Sequence, residues 1–304
     1  MMNSYLITVI GATAIGKTAL SIKLAQHFNA EIISCDSRQF YKEMTIGTAV
    51  PSSEELAAAP HHFIQNKSIF DHYSVGQFEK DALKKLDELF LKNNIVVMVG
   101  GSGLYTNAVL EGFDDFPEID TEIREKLNKQ VENGELEILQ NQLKELDLES
   151  YQTIEIENPH RLIRALEICI GTGKPYSSFK NKDKTKRNFI PIKIGLMADR
   201  EIMYDRINQR VAMMLQEGLL DEAKKLVPHK ELNALQTVGY RELFDYFDGK
   251  CTLEFAVEEI KKNTRRFAKR QVTWNRKDES IHWFDFKTAP SEIIKKIETT
   301  IHLD

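Results

Sequence analysis

The chain has 304 residues, of which 42% are apolar and 29% are charged, and its formal net charge is −5. These values are typical of a globular enzyme, and the acidic balance means that any affinity for nucleic acid has to come from local basic patches. No apolar run is long enough to cross a bilayer, and the three cysteines have no metal or disulfide spacing, so we expect a cytoplasmic protein with no membrane association.

The first predicted element leads directly into a phosphate-binding loop. The apolar run Leu6–Ile10 predicts a buried strand, and residues 19–28 predict a helix. The stretch between them matches the pattern G-x-x-x-x-G-K-[ST], in which backbone N–H groups point at phosphate oxygens. Lys17 is expected to reach the terminal phosphates, and the Thr18 hydroxyl is expected to be a ligand of Mg²⁺. The predicted binding residues are Gly11, Ala12, Thr13, Ala14, Ile15, Gly16, Lys17 and Thr18.

Asp36 follows the next predicted strand, Glu31–Cys35. Ligands of open α/β sheets bind at the carboxyl ends of the strands, so its carboxylate is expected beside the phosphate loop. In a hydrolase or kinase it would hold magnesium or activate a hydroxyl, and in a transferase acting on an amine it would accept a proton. A carboxylate that only caps the turn at Ser37 is the structural alternative.

A second glycine-rich turn, Gly100–Gly103, follows the third predicted strand, Ile95–Val99. Its N–H groups and the Ser102 hydroxyl are placed to contact the same phosphate group, although a structural turn has the same composition. A strand that ends in Gly-Gly rather than Asp argues against a nucleotide hydrolase. The alternation of strands and helices predicts an α/β fold with a P-loop-type, doubly wound parallel sheet.

The histidine pair that precedes the third strand, His61 and His62, has no acidic or cysteine ligand at a suitable spacing. A structural or substrate-lining role is favoured over zinc.

Residues 113–189 are rich in glutamate and predict helices without a convincing strand. Asn158 and the proline that follows it start one of these helices, and Gly173 ends it. We therefore predict an α/β core made of residues 1–112 and 190–304, with a helical insertion domain between the two parts that contacts RNA.

The second part of the core begins with a predicted strand, Ile192–Leu196, and a predicted helix, Glu201–Glu217. Arg206 and Arg210 are four residues apart on this helix and therefore share a face. Two guanidinium groups are suited to a departing diphosphate, and surface ion pairs are the alternative. A last short strand is predicted at Ile281–Phe284.

Residues 261–277 hold eight Lys or Arg and no acid. Helical spacing predicts a buried stripe and leaves Arg266 and Arg270 aligned on another face, which suits RNA phosphates. A solvated charged face is the alternative. The predicted stripe consists of Ile260, Thr264, Phe267, Gln271 and Trp274.

Taken together, these motifs resemble one family, the tRNA dimethylallyltransferases, also called tRNA isopentenyltransferases. The matching stretches run in family order over essentially the whole chain. They are residues 11–18, 36–41, 46–49, 61–62, 100–105, 161–167, 239–242 and 264–274.

The resemblance implies transfer of the dimethylallyl group of dimethylallyl diphosphate to the exocyclic amine of the adenosine 3′-adjacent to the anticodon. The partners would be the anticodon stem-loop of tRNA and Mg²⁺, and nothing in the sequence demands more than a monomer. The implied catalytic residues are Asp36 as general base, Lys17, Ser102 and Arg210. The residues implied or predicted to bind tRNA are Asp36, Ser37, Arg38, Gln39, Ser102, Arg124, His160, Arg161, Leu162, Ile163, Arg164, Arg266 and Arg270.

Three positions, Ala12, Ile15 and Gln65, depart from the family pattern, and none removes a group that the mechanism needs. The alternatives are an adenylate isopentenyltransferase acting on free nucleotides, a P-loop kinase or hydrolase acting on a small molecule, and a non-catalytic RNA-binding module. The helical insertion and the basic helix favour a polymeric acceptor, and an RNA-binding module would leave the phosphate loop without a purpose.

Overall fold

The computed structural model describes residues 3–114, 116–180 and 186–303. The strands are β1 Tyr5–Gly11, β2 Ile32–Ser34, β3 His61–His62, β4 Ile95–Val99, β5 Ile190–Met197 and β6 Ile281–Asp285. The helices of the first half are α1 Lys17–Phe28, α2 Ser53–Ala58, α3 Val75–Phe90, α4 Gly103–Glu111, α5 Thr121–Glu132, α6 Leu136–Leu146, α7 Leu148–Thr153 and α8 Pro159–Thr172. Those of the second half are α9 Arg200–Gln216, α10 Leu219–Leu226, α11 Tyr240–Phe247, α12 Leu253–Asn275 and α13 Pro290–Leu303.

The strands form one parallel sheet in the order β3-β2-β4-β1-β5-β6. The prediction of an α/β fold with a parallel sheet is therefore confirmed, and every predicted strand is present. β3 escaped prediction because two residues are too few to show an alternating pattern. Since all strands run the same way, the turns after β1, β2 and β4 lie at one edge of the sheet.

Both faces of the sheet are covered by apolar clusters, which explains why its strands are continuous hydrophobic runs. Successive side chains point to opposite faces, so neighbours in β1 belong to different clusters. Ile7 packs in the cluster that includes residues of α1 and α13, whereas Leu6 packs in the cluster that includes residues of α3 and α4. A third cluster joins helices α9 to α12.

Local signals set the ends of two predicted helices. The Ser74 hydroxyl accepts a hydrogen bond from the Gln77 backbone N–H and so caps α3. Asn158 caps α8 in the same way, with a proline as the first helical residue, and Gly173 ends the helix with φ of 67°.

The chain divides into two compact units, one formed by Met1–Glu111 with Lys186–Asp304 and the other by Gly112–Thr185. The smaller unit contains helices α5 to α8 around a leucine-rich cluster. Positions 115 and 181–185 of the predicted insertion lie outside the described residues. Within the described ranges, no helix has the length and apolar character needed to cross a membrane.

Candidate active site

A cavity of about 910 Å³ lies in the larger unit, where β1, β2 and β4 end. Residues of the phosphate loop, the turn after β2, the loop before α2 and helix α9 contribute to its wall. The lining includes Thr13, Ala14, Ile15, Gly16, Lys17, Thr18, Asp36, Gln39, Thr45, Ile46, Thr48, Gly100, Gly101, Arg206, Arg210, Met213 and Met214. The separate sequence motifs for phosphate, base and leaving group therefore meet in one place.

The phosphate loop is shaped by glycine at its two ends. Gly11 has φ of 143°, and a Cβ there would lie 2.6 Å from the Leu196 carbonyl oxygen. Gly16 precedes α1 with φ of 107°, which turns the chain into the helix. The side chains of Ala12 and Ile15 are buried, so these two residues can offer only backbone groups to a ligand.

Lys17 is held under the loop, where its ammonium donates to the Ala12 carbonyl at 2.7 Å. Burial, followed by the positive charge of Arg210, lowers the pKa of Lys17 to about 8. Burial also lowers the pKa of Arg210, while the carboxylate of Asp36 acts in the opposite direction. Arg206 donates from Nε to the Ala14 carbonyl at 2.8 Å, so both arginines of α9 face the cavity. The prediction that they share a face at the phosphate loop agrees with this geometry.

Asp36 sits in a tight turn after β2 and lines the cavity. Its Oδ1 accepts the Arg38 backbone N–H at 3.0 Å, which fixes the carboxylate. Gln39 donates to the carbonyls of Thr48 and Ala49 at 3.3 and 2.9 Å, and it also lines the cavity. The capping role and the cavity-facing position, which were alternatives in the sequence, are thus both present in Asp36.

Ser102, predicted to contact phosphate, is hydrogen-bonded to Ser37. Its Oγ accepts the Ser37 backbone N–H at 3.2 Å and donates to the Ser37 Oγ at 3.1 Å. The cavity lining includes Gly100 and Gly101 but neither of these serines. The Ser102 hydroxyl therefore links the second glycine-rich turn to the turn that carries Asp36.

A carboxylate that the sequence interpretation missed holds one wall of the cavity. Glu222, on α10, accepts the backbone N–H groups of Thr45, Ile46 and Gly47 at 2.8–3.0 Å. The buried Tyr240 hydroxyl donates to the same carboxylate at 2.6 Å. Two family motifs without an assigned role, residues 46–49 and 239–242, are thereby joined through Glu222. In the sequence, Glu222 is one charged residue in a helical pattern, and nothing in its spacing indicates that it binds backbone N–H groups.

Helix α12 departs from the predicted stripe. Phe267 and Trp274 were expected in the core, but they are 38% and 46% exposed, whereas Ala268 is fully buried. At this turn of the helix Ala268 takes the buried place expected of Phe267, because Ala268 packs in a cluster with residues of α9. Arg266 and Arg270 are exposed as predicted.

Gln271 is the polar residue of that stripe, and it is buried as expected. Its Oε1 accepts the Thr13 backbone N–H at 2.8 Å, and its Nε2 donates to the Gly101 carbonyl at 2.8 Å. A buried amide requires hydrogen-bond partners. The placing of Gln271 in a predicted buried stripe was therefore the sequence signal that it binds other polar groups of the core.

His61 also lines the cavity, in agreement with a substrate-lining role. Its Nδ1 donates to the Ala59 carbonyl at 2.8 Å, and burial lowers the pKa of the imidazole, which favours the neutral ring. Across the described residues, no group of three or more His, Cys, Asp or Glu is arranged to hold a metal ion.

In the smaller unit, the predicted RNA-binding run at the start of α8 has some side chains on the buried face of the helix and others on the exposed face. Leu162 and Ile163 are buried in the leucine-rich cluster, so their side chains are not exposed for contact with RNA. His160 and Arg161 are exposed. Arg161 Nη1 lies 3.3 Å from Oε2 of Glu155, whose side chain is 70% exposed.

Arg124 and Arg164 share one buried carboxylate in that unit. Their Nη1 atoms lie 3.5 and 3.1 Å from Glu167 Oε2. The Arg164 guanidinium also lies over the Phe116 ring, 5.0 Å from its centroid. Glu167 therefore neutralises Arg164.

Comparison with known families gives a match to "IPP transferase" over residues 39–278. A tRNA dimethylallyltransferase of Flavobacterium psychrophilum is 65% identical over 302 residues, covering 97% of this chain and 98% of that protein.

Two solved structures are similar in fold. The full-length tRNA isopentenylpyrophosphate transferase of Bacillus halodurans has a TM-score of 0.72 and 38% identity, covering 98% of this chain and 96% of that one. A eukaryotic dimethylallyltransferase acting on tRNA has a TM-score of 0.78 and 28% identity, covering 93% of this chain and 74% of that one.

Proposed function

Because the chain belongs to the IPP transferase family, whose matched relatives are tRNA dimethylallyltransferases, we propose that it prenylates tRNA in the cavity described above. The donor is dimethylallyl diphosphate, and the acceptor is the exocyclic amine of the adenosine 3′-adjacent to the anticodon. One observation carries the assignment to this site: the phosphate loop and Asp36 line the same cavity.

The phosphate loop binds the diphosphate of the donor. Backbone N–H groups of residues 14–18, together with Lys17 and Arg210, line the space that the leaving group would occupy. The C1–O bond of the donor breaks and diphosphate departs with the electron pair, so positive groups in a sheltered site stabilise the charge that develops. An allylic carbon supports early cleavage because its positive charge is delocalised.

Asp36 acts on the acceptor. The adenine amine is a weak nucleophile because its lone pair is delocalised into the ring, so its alignment matters more than its activation. As the new N–C bond forms, the amine becomes acidic and the Asp36 carboxylate takes its proton. The bond from Asp36 to the Arg38 N–H leaves the other carboxylate oxygen available for this step.

The oxygen groups at the cavity suit magnesium. The Thr18 hydroxyl lines it, and Mg²⁺ prefers such hard oxygen ligands together with substrate phosphates and water. When bound, the ion supplies neutralisation of the diphosphate charge.

The acceptor base lies in an anticodon loop and has to leave its stack to enter a cavity, at a cost of a few kcal/mol. Contacts with the RNA backbone offset this cost. We assign these contacts to Arg266 and Arg270 in the larger unit and to Arg124, His160, Arg161 and Arg164 in the smaller one, each on the exposed or partly exposed surface of its own unit.

The test uses the purified protein with unmodified tRNA, dimethylallyl diphosphate and Mg²⁺. Mass spectrometry of the digested tRNA is expected to find one added five-carbon unit on the adenosine next to the anticodon. Prenylation of free AMP in preference to tRNA, or turnover of ATP without any prenyl donor, would contradict the proposal.

A further inference from the structure

Gln271 lies between two turns of the cavity, and the roles proposed for Asp36, Lys17 and Arg210 do not account for it. It lies on the inner face of α12 and is 7% exposed. One end of its amide accepts from Thr13 in the phosphate loop, and the other donates to Gly101 in the second glycine-rich turn, both at 2.8 Å. These turns follow β1 and β4, which are neighbours in the sheet.

The space around this amide is closely fitted. A Cβ on Gly101 would collide with Gln271 Nε2, and it would also lie 3.9 Å from Lys17 Nζ. The site needs a donor and an acceptor on one side chain of this length, which the amide of glutamine provides. A glutamate would turn a carboxylate toward the Gly101 carbonyl, and a methionine would replace neither bond.

The outer face of the same helix has a different character. Arg266 and Arg270 are exposed there, and the Arg270 guanidinium lies 5.7 Å from the centroid of the partly exposed Phe267 ring. Helix α12 therefore presents basic and aromatic side chains to solvent, and on its inner face the Gln271 amide holds the phosphate loop. Any ligand that fixes the outer face also fixes the position of Gln271.

We propose that Gln271 is a positioning residue that holds the Thr13 amide of the phosphate loop and links donor binding to RNA binding through α12. This inference rests on the proposed function for the identity of the two ligands. The link acts in both directions, because coupling between two binding equilibria is reciprocal. RNA bound to the outer face strengthens diphosphate binding, and diphosphate strengthens RNA binding by the same factor.

The experiment measures the affinity of inorganic pyrophosphate with Mg²⁺, by calorimetry, in the presence and absence of an anticodon stem-loop RNA. The variants are Gln271→Met and Gln271→Glu, with Gln26→Met as the matched control. Gln26 is an exposed glutamine of α1 whose amide donates to the Ala58 carbonyl at 3.2 Å, outside the cavity lining.

In the unaltered protein, RNA is expected to tighten pyrophosphate binding, and Gln26→Met is expected to keep that effect. Both Gln271 variants are expected to weaken pyrophosphate binding roughly tenfold, as loss of one or two hydrogen bonds implies, and to abolish the tightening by RNA. Their melting temperatures are expected to fall, because each variant leaves a buried backbone group unpaired. Their affinity for RNA alone is expected to stay close to that of the control. Gly101→Ala, which displaces Gln271 without changing it, is expected to give the same loss.

Equal pyrophosphate affinity in Gln271→Glu and the control would overturn the proposal, as would RNA tightening that survives in both Gln271 variants. If Gln271→Met proves too unstable to measure, Gln271→Glu and Gly101→Ala decide the matter. Prenyl transfer is not used as a readout. Failure of the proposed function in the unaltered protein is therefore a different result from failure of this inference.

Discussion

The two compact units hold their functional side chains by different means. In the larger unit, Lys17 and Asp36 are bonded to the backbone of their own turns. In the smaller unit, Arg124 and Arg164 are held by the carboxylate of Glu167 instead. A backbone anchor fixes a group to the accuracy that chemistry requires, whereas an arginine can exchange its carboxylate for a phosphate oxygen. We infer that the larger unit performs the reaction and that the smaller unit contributes contacts to RNA.

The largest expected effect concerns the anchored carboxylate. Asp36→Asn keeps the shape of the turn but cannot accept the proton, so transfer is expected to fall by about 10²–10⁴-fold. Binding of tRNA is expected to change little, because charge contacts elsewhere dominate it. Transfer of labelled donor and a filter-binding assay measure the two quantities, with Asp87→Asn on the exposed surface of α3 as the control. Near-normal turnover of Asp36→Asn would contradict the inference that Asp36 of the larger unit takes part in the reaction.

The second prediction concerns the core of the smaller unit. Leu162→Ala removes a fully buried side chain and is expected to lower the free energy of unfolding by about 2–5 kcal/mol. Ile170→Ala on the same helix, where the side chain is 40% exposed, is the control and is expected to cost much less. Arg161→Gln is expected to weaken RNA binding and leave stability unchanged. Urea unfolding checks the stabilities, and a stable Leu162→Ala with weakened RNA binding would restore the original interpretation of this run.

These contrasts show what the sequence can predict. The sheet and the meeting of Lys17 with Asp36 followed from strand patterns, because parallel strands must end at one edge. The prediction for α12 placed Phe267 in the core, whereas Ala268 is buried there instead. The sequence could not show this, because it depends on how closely α9 approaches α12. Glu222 could not have been found, since three of its four partners are backbone groups about 175 positions away in the chain.

The third prediction concerns Lys17, whose pKa of about 8 lies below its ordinary value because the side chain is buried. Bound diphosphate favours the ammonium form, so affinity for pyrophosphate is expected to fall by up to about tenfold per pH unit above pH 8. The free protein gains stability over the same range, because the unfolded chain binds the proton that the folded chain has released.

Calorimetry at pH 7 to 9.5 measures this affinity. Lys17→Arg, which keeps its charge, is expected to lose the fall above pH 8, and Lys23→Met on the exposed surface of α1 is expected to retain it. A flat profile in the unaltered protein would place Lys17 outside the diphosphate site.

The smallest expected effect concerns the outer face of α12. Arg266→Gln and Arg270→Gln are each expected to lower the slope of log affinity for tRNA against log salt by about one unit or less. Transfer at saturating tRNA is expected to persist, because neither residue lines the cavity. Slopes that match that of the unaltered protein would remove both arginines from the interface.

The proposed reaction requires that one cavity bring the donor diphosphate and the acceptor amine together between the phosphate loop and Asp36. A crystal structure with an unreactive thio-analogue of dimethylallyl diphosphate and an anticodon stem-loop tests it most directly. We predict the diphosphate on the N–H groups of residues 14–18 and the Asp36 carboxylate within hydrogen-bonding distance of an extruded adenine amine. An adenine bound elsewhere, with Asp36 turned away from the donor, would contradict the account.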